Sequence, residues 1–367
     1  MATVIPLSDG RLSYGSRDTS YLPTFLAEIP ATGRWFVITE NQPSPILNTQ
    51  AIVDGIRRAG EFGAFGHQDM IFIDRTAEVG SLVSERLQAI RSQARAAGIA
   101  TDRIVYVSQN PKIALPRSSE NPRWLFFHHY LVSMATTFRD EFSDYGFDNA
   151  GSNILLLNNK IRPHRIAIVA ALHRAGLRSQ LRMSWRGRTD IFDYARATEE
   201  AIKRFPLLEM EIQGLGELPA TQFVTNMVPG AVEALTPEEL PRCFIECVAE
   251  SEVDNWSARI TEKALKPIAG HRPFVLFGPP GSLQLLRNLG FRTFSDVLDE
   301  NYDAVDDTQA RLFKIVDVLK DAATRPAEIL TSVRATCAAN QAHLRDGLIP
   351  ALKERLRLDI ETILQSD

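Results

Sequence analysis

Arg259, Glu262, Lys263 and Lys266 stand just ahead of the apolar run PFVLFG at residues 273–278, and Thr261 is placed to cap a helix beginning at Glu262. A helix start presents unpaired N–H groups and partial positive charge. Each well-placed charge there adds about 0.3–1 kcal/mol to the attraction for an anion. A glutamate in the same turn repels phosphate but accepts hydrogen bonds from neutral hydroxyls. The set therefore suits a ligand that carries both: Lys263 for a phosphate, Glu262 for the hydroxyls of a ribose or sugar. The same spacing also fits an amphipathic surface helix with an inert acid–base pair.

Other residues are placed for chemistry. GPPGS at 278–282 follows an apolar strand and precedes the helical LQLLRNLG, the strand, turn, helix order of a ligand crevice in an α/β sheet. It is neither a Walker loop nor GxGxxG, and an ordinary tight turn reads the same way. Upstream, NNKIRPHRIAIVAAL at 158–172 puts Arg162 and Arg165 at the mouth of another helix. Acids end several apolar segments: Glu40 after RWFVIT, Asp74 and Glu78 around DMIFID, Glu250 and Glu252 in AESE. His128 and His129 are adjacent, a spacing that turns them to different faces of a helix and does not suit a metal pair. SWRGR at 184–188 follows a strand end and reads as a basic turn or a contact to a base or sugar.

The elements that must position these residues alternate between strand and helix. RWFVIT (34–39), DMIFID (69–74) and RIVYVS (103–108) read as strands, with a helix over 81–98 that opens on a serine and closes on a glycine. A second series starts with SNILLLNN (152–159), a helix over 164–177 and RMSW, followed later by RCFIECVAE and RPFVLFG. Alternation of this kind predicts parallel sheets. The tail of 128–151 is rich in Gly, Asp and Asn and reads as a linker, so the expected organisation is a domain over 1–151, a second over 152–310 and helices over 311–367 broken at Pro326 and near Gly347.

Composition sets the outer limits. The chain has 367 residues, 44% of them hydrophobic and 23% charged, enough to bury two ordinary cores. A net charge of −4 opposes a broad grip on nucleic acid or anionic lipid and favours small molecules or neutral polymers. The first residues lack a basic segment followed by an apolar core, and no apolar run reaches the ~20 residues that span a bilayer, so a cytoplasmic location is expected. Cys243, Cys247 and Cys337 form neither a CxxC pair nor a disulfide framework and read as buried thiols.

The stretch 244–291 resembles the donor-binding motif of the α1,3-fucosyltransferase family, in which an acid-containing turn after a strand leads to an aromatic, aliphatic, Thr-Glu-Lys signature. Here the signature reads Arg259-Ile260-Thr261-Glu262-Lys263, with arginine where the family has an aromatic ring. The stretch 158–172 resembles the family's strand, basic loop and helix that carry a phosphate-binding arginine; Arg165 matches best and Arg162 second. The resemblance covers roughly 152–310 and implies a GT-B architecture, two Rossmann-like domains facing across a cleft with helices at the C-terminus. It further implies an inverting transfer from a nucleotide diphosphate sugar, GDP-fucose in that family, without an essential metal or other cofactor. DVLDENYDAVDD at 296–307 holds no DxD suited to a nucleotide-bound metal.

The implied roles are Arg165 and Lys263 on the leaving diphosphate, Glu262 on hydroxyls, and Glu250 or Glu252 toward the donor sugar. Backbone N–H groups near Thr261 assist. The base for a glycan or small-molecule acceptor would come from the first half, with Glu40 favoured over Asp74 and Glu78. His164 and His271 lie inside the matched stretches and are candidates for lining the site. Two other readings stand beside this one: a nucleotide-sugar or glycan binding protein without turnover, and a nicotinamide enzyme, which the missing glycine fingerprint opposes.

Overall fold

The computed structural model describes residues 2–7, 21–39, 45–75, 84–113, 121–137, 147, 150–158, 160–185, 191–218 and 239–365. Among them the chain forms two parallel sheets, an α/β fold with a helical C-terminal segment. Contacts divide it into two compact units, one of residues 1–133 with 348–367 and one of 134–347.

The first unit carries β1 (Thr3–Pro6), α1 (Leu22–Ala27), β2 (Arg34–Thr39), α2 (Pro45–Glu61), β3 (Met70–Arg75), α3 (Ser84–Ala96), β4 (Ile104–Ser108) and β5 (Arg123–Phe126). All pairings are parallel and the strands lie in sequence order. β3 and β4 are buried at every position, which is why their sequences are continuous apolar runs rather than alternating ones. One face is packed by Ile52, Ile56 and Ala59 of α2 and Ile90 and Ala94 of α3 against Phe36, Ile38, Ile71, Ile73, Ile104 and Tyr106. α4 (His129–Thr137) follows β5 and runs across the division between the units.

The second unit carries β6 (Asn153–Asn158), α5 (Pro163–Arg174), β7 (Leu181–Trp185), α6 (Ile191–Arg204), α7 (Glu209–Gly214), β8 (Cys243–Ala249), α8 (Glu262–Ala269), β9 (Phe274–Phe277) and α9 (Ser282–Asn288). Its strand order is β7-β6-β8-β9, so the chain leaves β6 on one side for β7 and returns on the other for β8. That reversal is a topological switch point, where the loops leaving two neighbouring carboxyl ends part and open a crevice. α10 (Thr308–Ala322) and α11 (Pro326–Ala342) follow, then a π turn at His343–Gly347 and α12 (Leu348–Gln365), which belongs to the first unit. The helices stop where the sequence predicts: Pro326 opens α11 with its missing N–H at a position that needs none, and the break near Gly347 is the π turn.

The three cysteines are buried, and burial pushes the thiols of Cys243 and Cys337 up to about 12. Among the described residues no helix is long and apolar enough to cross a membrane.

Candidate functional site at the β6 and β8 strand ends

The switch point gathers most of the cationic residues singled out in the sequence. α5 begins directly after the loop that leaves β6, with Arg162 as its N-cap in extended backbone and Pro163 in the first turn. The guanidinium of Arg165 is buried and reaches across to β8, donating to the carbonyls of Ala249 (3.3 Å) and Glu250 (3.4 Å) and to that of Lys160 (3.3 Å). Its Nε has no partner. Burial, with the charge of Arg162 beside it, pulls its pKa down to about 10. His164 donates through Nε2 to the carbonyl of Glu250 at 2.9 Å, and burial holds its imidazole neutral with a pKa of about 3.

Glu250 closes the loop that leaves β8. One carboxylate oxygen accepts the N–H of Thr261 (2.9 Å); the other accepts the hydroxyl of Thr261 and the N–H of Ser251 (3.1 Å). The sequence reading placed this acid, or Glu252, toward a sugar. In the structure both Glu250 oxygens are occupied by the chain itself, and Glu252 pairs with Arg162 at 3.5 Å. The loop is held from outside as well: Arg162 donates to the carbonyl of Ser251 (2.6 Å), Arg204 pairs with Asp254, and the buried Arg311 of α10 donates to the carbonyl of Val253.

Thr261 caps α8 as the sequence predicts, its hydroxyl accepting the N–H of Lys263. The Lys263 ammonium pairs with Glu262 and donates to the hydroxyls of Ser251 (3.2 Å) and Thr261 (3.4 Å). Burial works to raise the Glu262 carboxyl, but the charges of Lys263 and Lys266 and the Lys263 hydrogen bond outweigh it and hold the group below the usual range. Arg259 is half-buried two residues before the cap. Lys263, with 23% of its side chain exposed, and Arg162, with 36%, keep access to solvent. They can take an anion by exchanging Glu262 and Glu252 for it.

The second strand-end turn, GPPGS, is filled differently. Gly281 adopts φ 85°, a left-handed conformation that suits glycine, and its N–H donates to the carbonyl of Asp303 at 2.8 Å. The Asp303 carboxylate then accepts the first amides of α9, those of Leu283 (3.0 Å) and Gln284 (3.2 Å). The chain supplies its own anion at this helix start.

Sequence reasoning passed over Asp303, Arg311, Ser251 and Asn158. Asn158 is buried at the end of β6, where its amide nitrogen donates to the carbonyl of Arg165 (3.3 Å) while its oxygen has no partner. Asparagine ending a buried apolar strand is the signal that marked it. Of the proposed bases, Asp74 is buried at the carboxyl end of β3; Glu40 and Glu78 lie outside the described residues. Among the described residues no group of three or more His, Cys, Asp or Glu side chains is placed to hold a metal.

No protein-family model and no curated protein matches the sequence. Solved structures similar to the chain include an α,α-trehalose 6-phosphate synthase of Burkholderia multivorans, at 10% identity and TM-score 0.44 over 93% of this chain and 72% of that one. Another is a UDP-forming α,α-trehalose-phosphate synthase of Burkholderia xenovorans in complex with glucose-6-phosphate, at 10% identity and TM-score 0.41 over 99% and 100%. A third is an O-GlcNAc transferase of Thermobaculum terrenum, at 14% identity and TM-score 0.43 over 99% and 68%.

Proposed function

We propose that the chain is a glycosyltransferase of GT-B type that takes a sugar from a nucleotide diphosphate sugar and transfers it to a hydroxyl of a glycan or small molecule. The observation that carries this reading is the convergence of Arg162, Arg165 and Lys263 on the carboxyl ends of β6 and β8, the switch point of the second sheet. Lys263 and Arg162 meet the diphosphate, and Arg165, with its spare Nε–H, supports it from beneath. Fixed cations of this kind stabilise the charge that grows on a departing diphosphate. Glu262 takes neutral hydroxyls, with Glu252 released from Arg162 as the second acceptor. The arginine and lysine charges do for the leaving group what a metal does elsewhere, so transfer proceeds without one, and GDP-fucose is the donor that the sequence resemblance favours. The acceptor's proton goes to an acid of the first unit, with Glu40, Asp74 and Glu78 as the candidates.

Calorimetric titration with GDP, UDP, CDP and ADP, first without metal and then with magnesium, tests the reading. One nucleoside diphosphate binds selectively without metal, and Lys263→Ala weakens it by about 1.5–3 kcal/mol, the scale of a charge-assisted hydrogen bond. A folded Lys263→Ala variant that binds as tightly as the parent overturns the site. Binding without turnover of any sugar donor would make the protein a nucleotide-sugar receptor.

A further inference from the structure

At the carboxyl end of β6, Asn158 is fully buried and only half satisfied. Its backbone N–H donates to the Ser184 hydroxyl of β7 at 2.8 Å, and its side-chain nitrogen donates to the Arg165 carbonyl in the first turn of α5 at 3.3 Å. That second bond fixes the orientation of the amide. A carbonyl only accepts, so the nitrogen must face it and the oxygen must face away. The oxygen has no partner. Buried acceptors are rarely left unbonded, and an apolar side chain of similar size would avoid the loss.

What the nitrogen holds is the turn that carries Arg165. The Arg165 guanidinium is buried, and its partners are the neutral carbonyls of Lys160, Ala249 and Glu250 rather than a carboxylate. The Glu250 side chain in turn clamps Thr261, whose hydroxyl accepts the N–H of Lys263 at 3.3 Å and its ammonium at 3.4 Å. One run of hydrogen bonds therefore passes from β7 through Ser184, Asn158, Arg165, Glu250 and Thr261 to Lys263. Asn158 is the link that ties the strand ends of β6 and β7 to the cations.

We propose that Asn158 is a positioning residue for the diphosphate site: by holding the Arg165 carbonyl it fixes the first turn of α5, and with it the direction of the Arg165 Nε–H, which has no other partner. A turn released from this bond can shift along and about the helix axis, and a displacement of about 1 Å is enough to weaken a preorganised contact severely. The inference rests on the proposed donor site and adds to it a residue that touches no ligand.

Calorimetry on the full chain tests it, with inorganic pyrophosphate and with GDP, UDP, CDP and ADP as probes. The parent binds at least one of them, and Asn158→Leu binds it at least about ten-fold more weakly. The urea midpoint of Asn158→Leu stays at the parent value or rises, because the leucine removes an oxygen that had nothing to bond; a residue with only a structural role would lower it. Asn158→Ala gives the same loss of affinity without asking the site to accept a branched side chain. In an Arg165→Met background the Asn158→Leu change weakens binding by less than about two-fold, since the group it positions is gone. Full affinity in both folded Asn158 variants, or the same ten-fold loss with Arg165 already removed, overturns the role of Asn158 and leaves the donor site standing. A parent that binds none of the probes overturns the donor site and this role with it.

Discussion

Glu250 and Thr261, 11 residues apart, are joined twice: one carboxylate oxygen takes the threonine's N–H at 2.9 Å and the other takes its hydroxyl. The intervening loop is therefore closed at its base by a side chain from the end of β8, and the cap of α8 is set by the same residue. An acid at a strand end, which reads as a ligand contact in sequence, here builds the frame that aims Lys263.

Glu250→Gln replaces one charged acceptor with a donor facing the N–H of Ser251 and the hydroxyl of Thr261. Hydrogen bonds to charged groups are worth about 1.5–3 kcal/mol, and the variant is expected to lose that much stability in urea unfolding. A loss below about 0.5 kcal/mol, the range of an ordinary surface change, would mean the loop does not depend on this clamp.

Two buried histidines make stability depend on pH in one direction. Burial lowers the imidazole of His164 to about 3 and that of His129 to about 4, from 6.5. Between those values and 6.5 the unfolded chain binds the protons and the folded chain does not. Stability from this source is complete above pH 6.5 and falls as pH falls, by up to about 1.4 kcal/mol per pH unit for each histidine. Urea unfolding from pH 7 to 4.5 should show a steep slope that His164→Gln makes shallower; an unchanged slope would put the titration elsewhere.

Glu246 on β8 acts with the opposite sign. It is buried, and burial raises its carboxyl to about 8 against the pull of Lys266. Between 4.5 and 8 the folded chain holds a proton that the unfolded chain has released, so stability from this group is lost as pH rises through that window. Glu246→Gln should gain stability over the parent at pH 8, and the gain should shrink toward zero by pH 4.5. A gain equal at both pH values would show a packing effect and no titration.

Asp303→Ala removes the acceptor for the first amides of α9. The expected cost is about 0.5–2 kcal/mol, the range for loss of a helix cap, seen as a lower urea midpoint. Asp303→Asn, which keeps one acceptor oxygen, should recover part of it.

Much of this arrangement was legible in the sequence. The strands β2, β3, β4, β6, β8 and β9 appear as apolar runs because both faces of their sheets are covered, and Thr261 announced the start of α8 as a cap. β1 and β5 escaped notice: each is four residues long and lies at a sheet edge, where half-exposed positions blur the apolar run. Arg162, Arg165 and Lys263 were readable as cations at helix mouths. The clamp that Glu250 makes was not, because its partners lie at Ser251 and at Thr261 across a loop whose closure no local pattern encodes.

The turn after β9 has the glycines and prolines of a phosphate cradle, yet its helix start is corked by Asp303 from further along the chain. At the start of α9 the acid comes from further along the chain and takes the helix amides, whereas at α8 Glu250 holds the cap and Lys263 keeps access to solvent. On the proposed reading, that single carboxylate closes the α9 start to the donor's diphosphate and leaves it to Arg162 and Lys263.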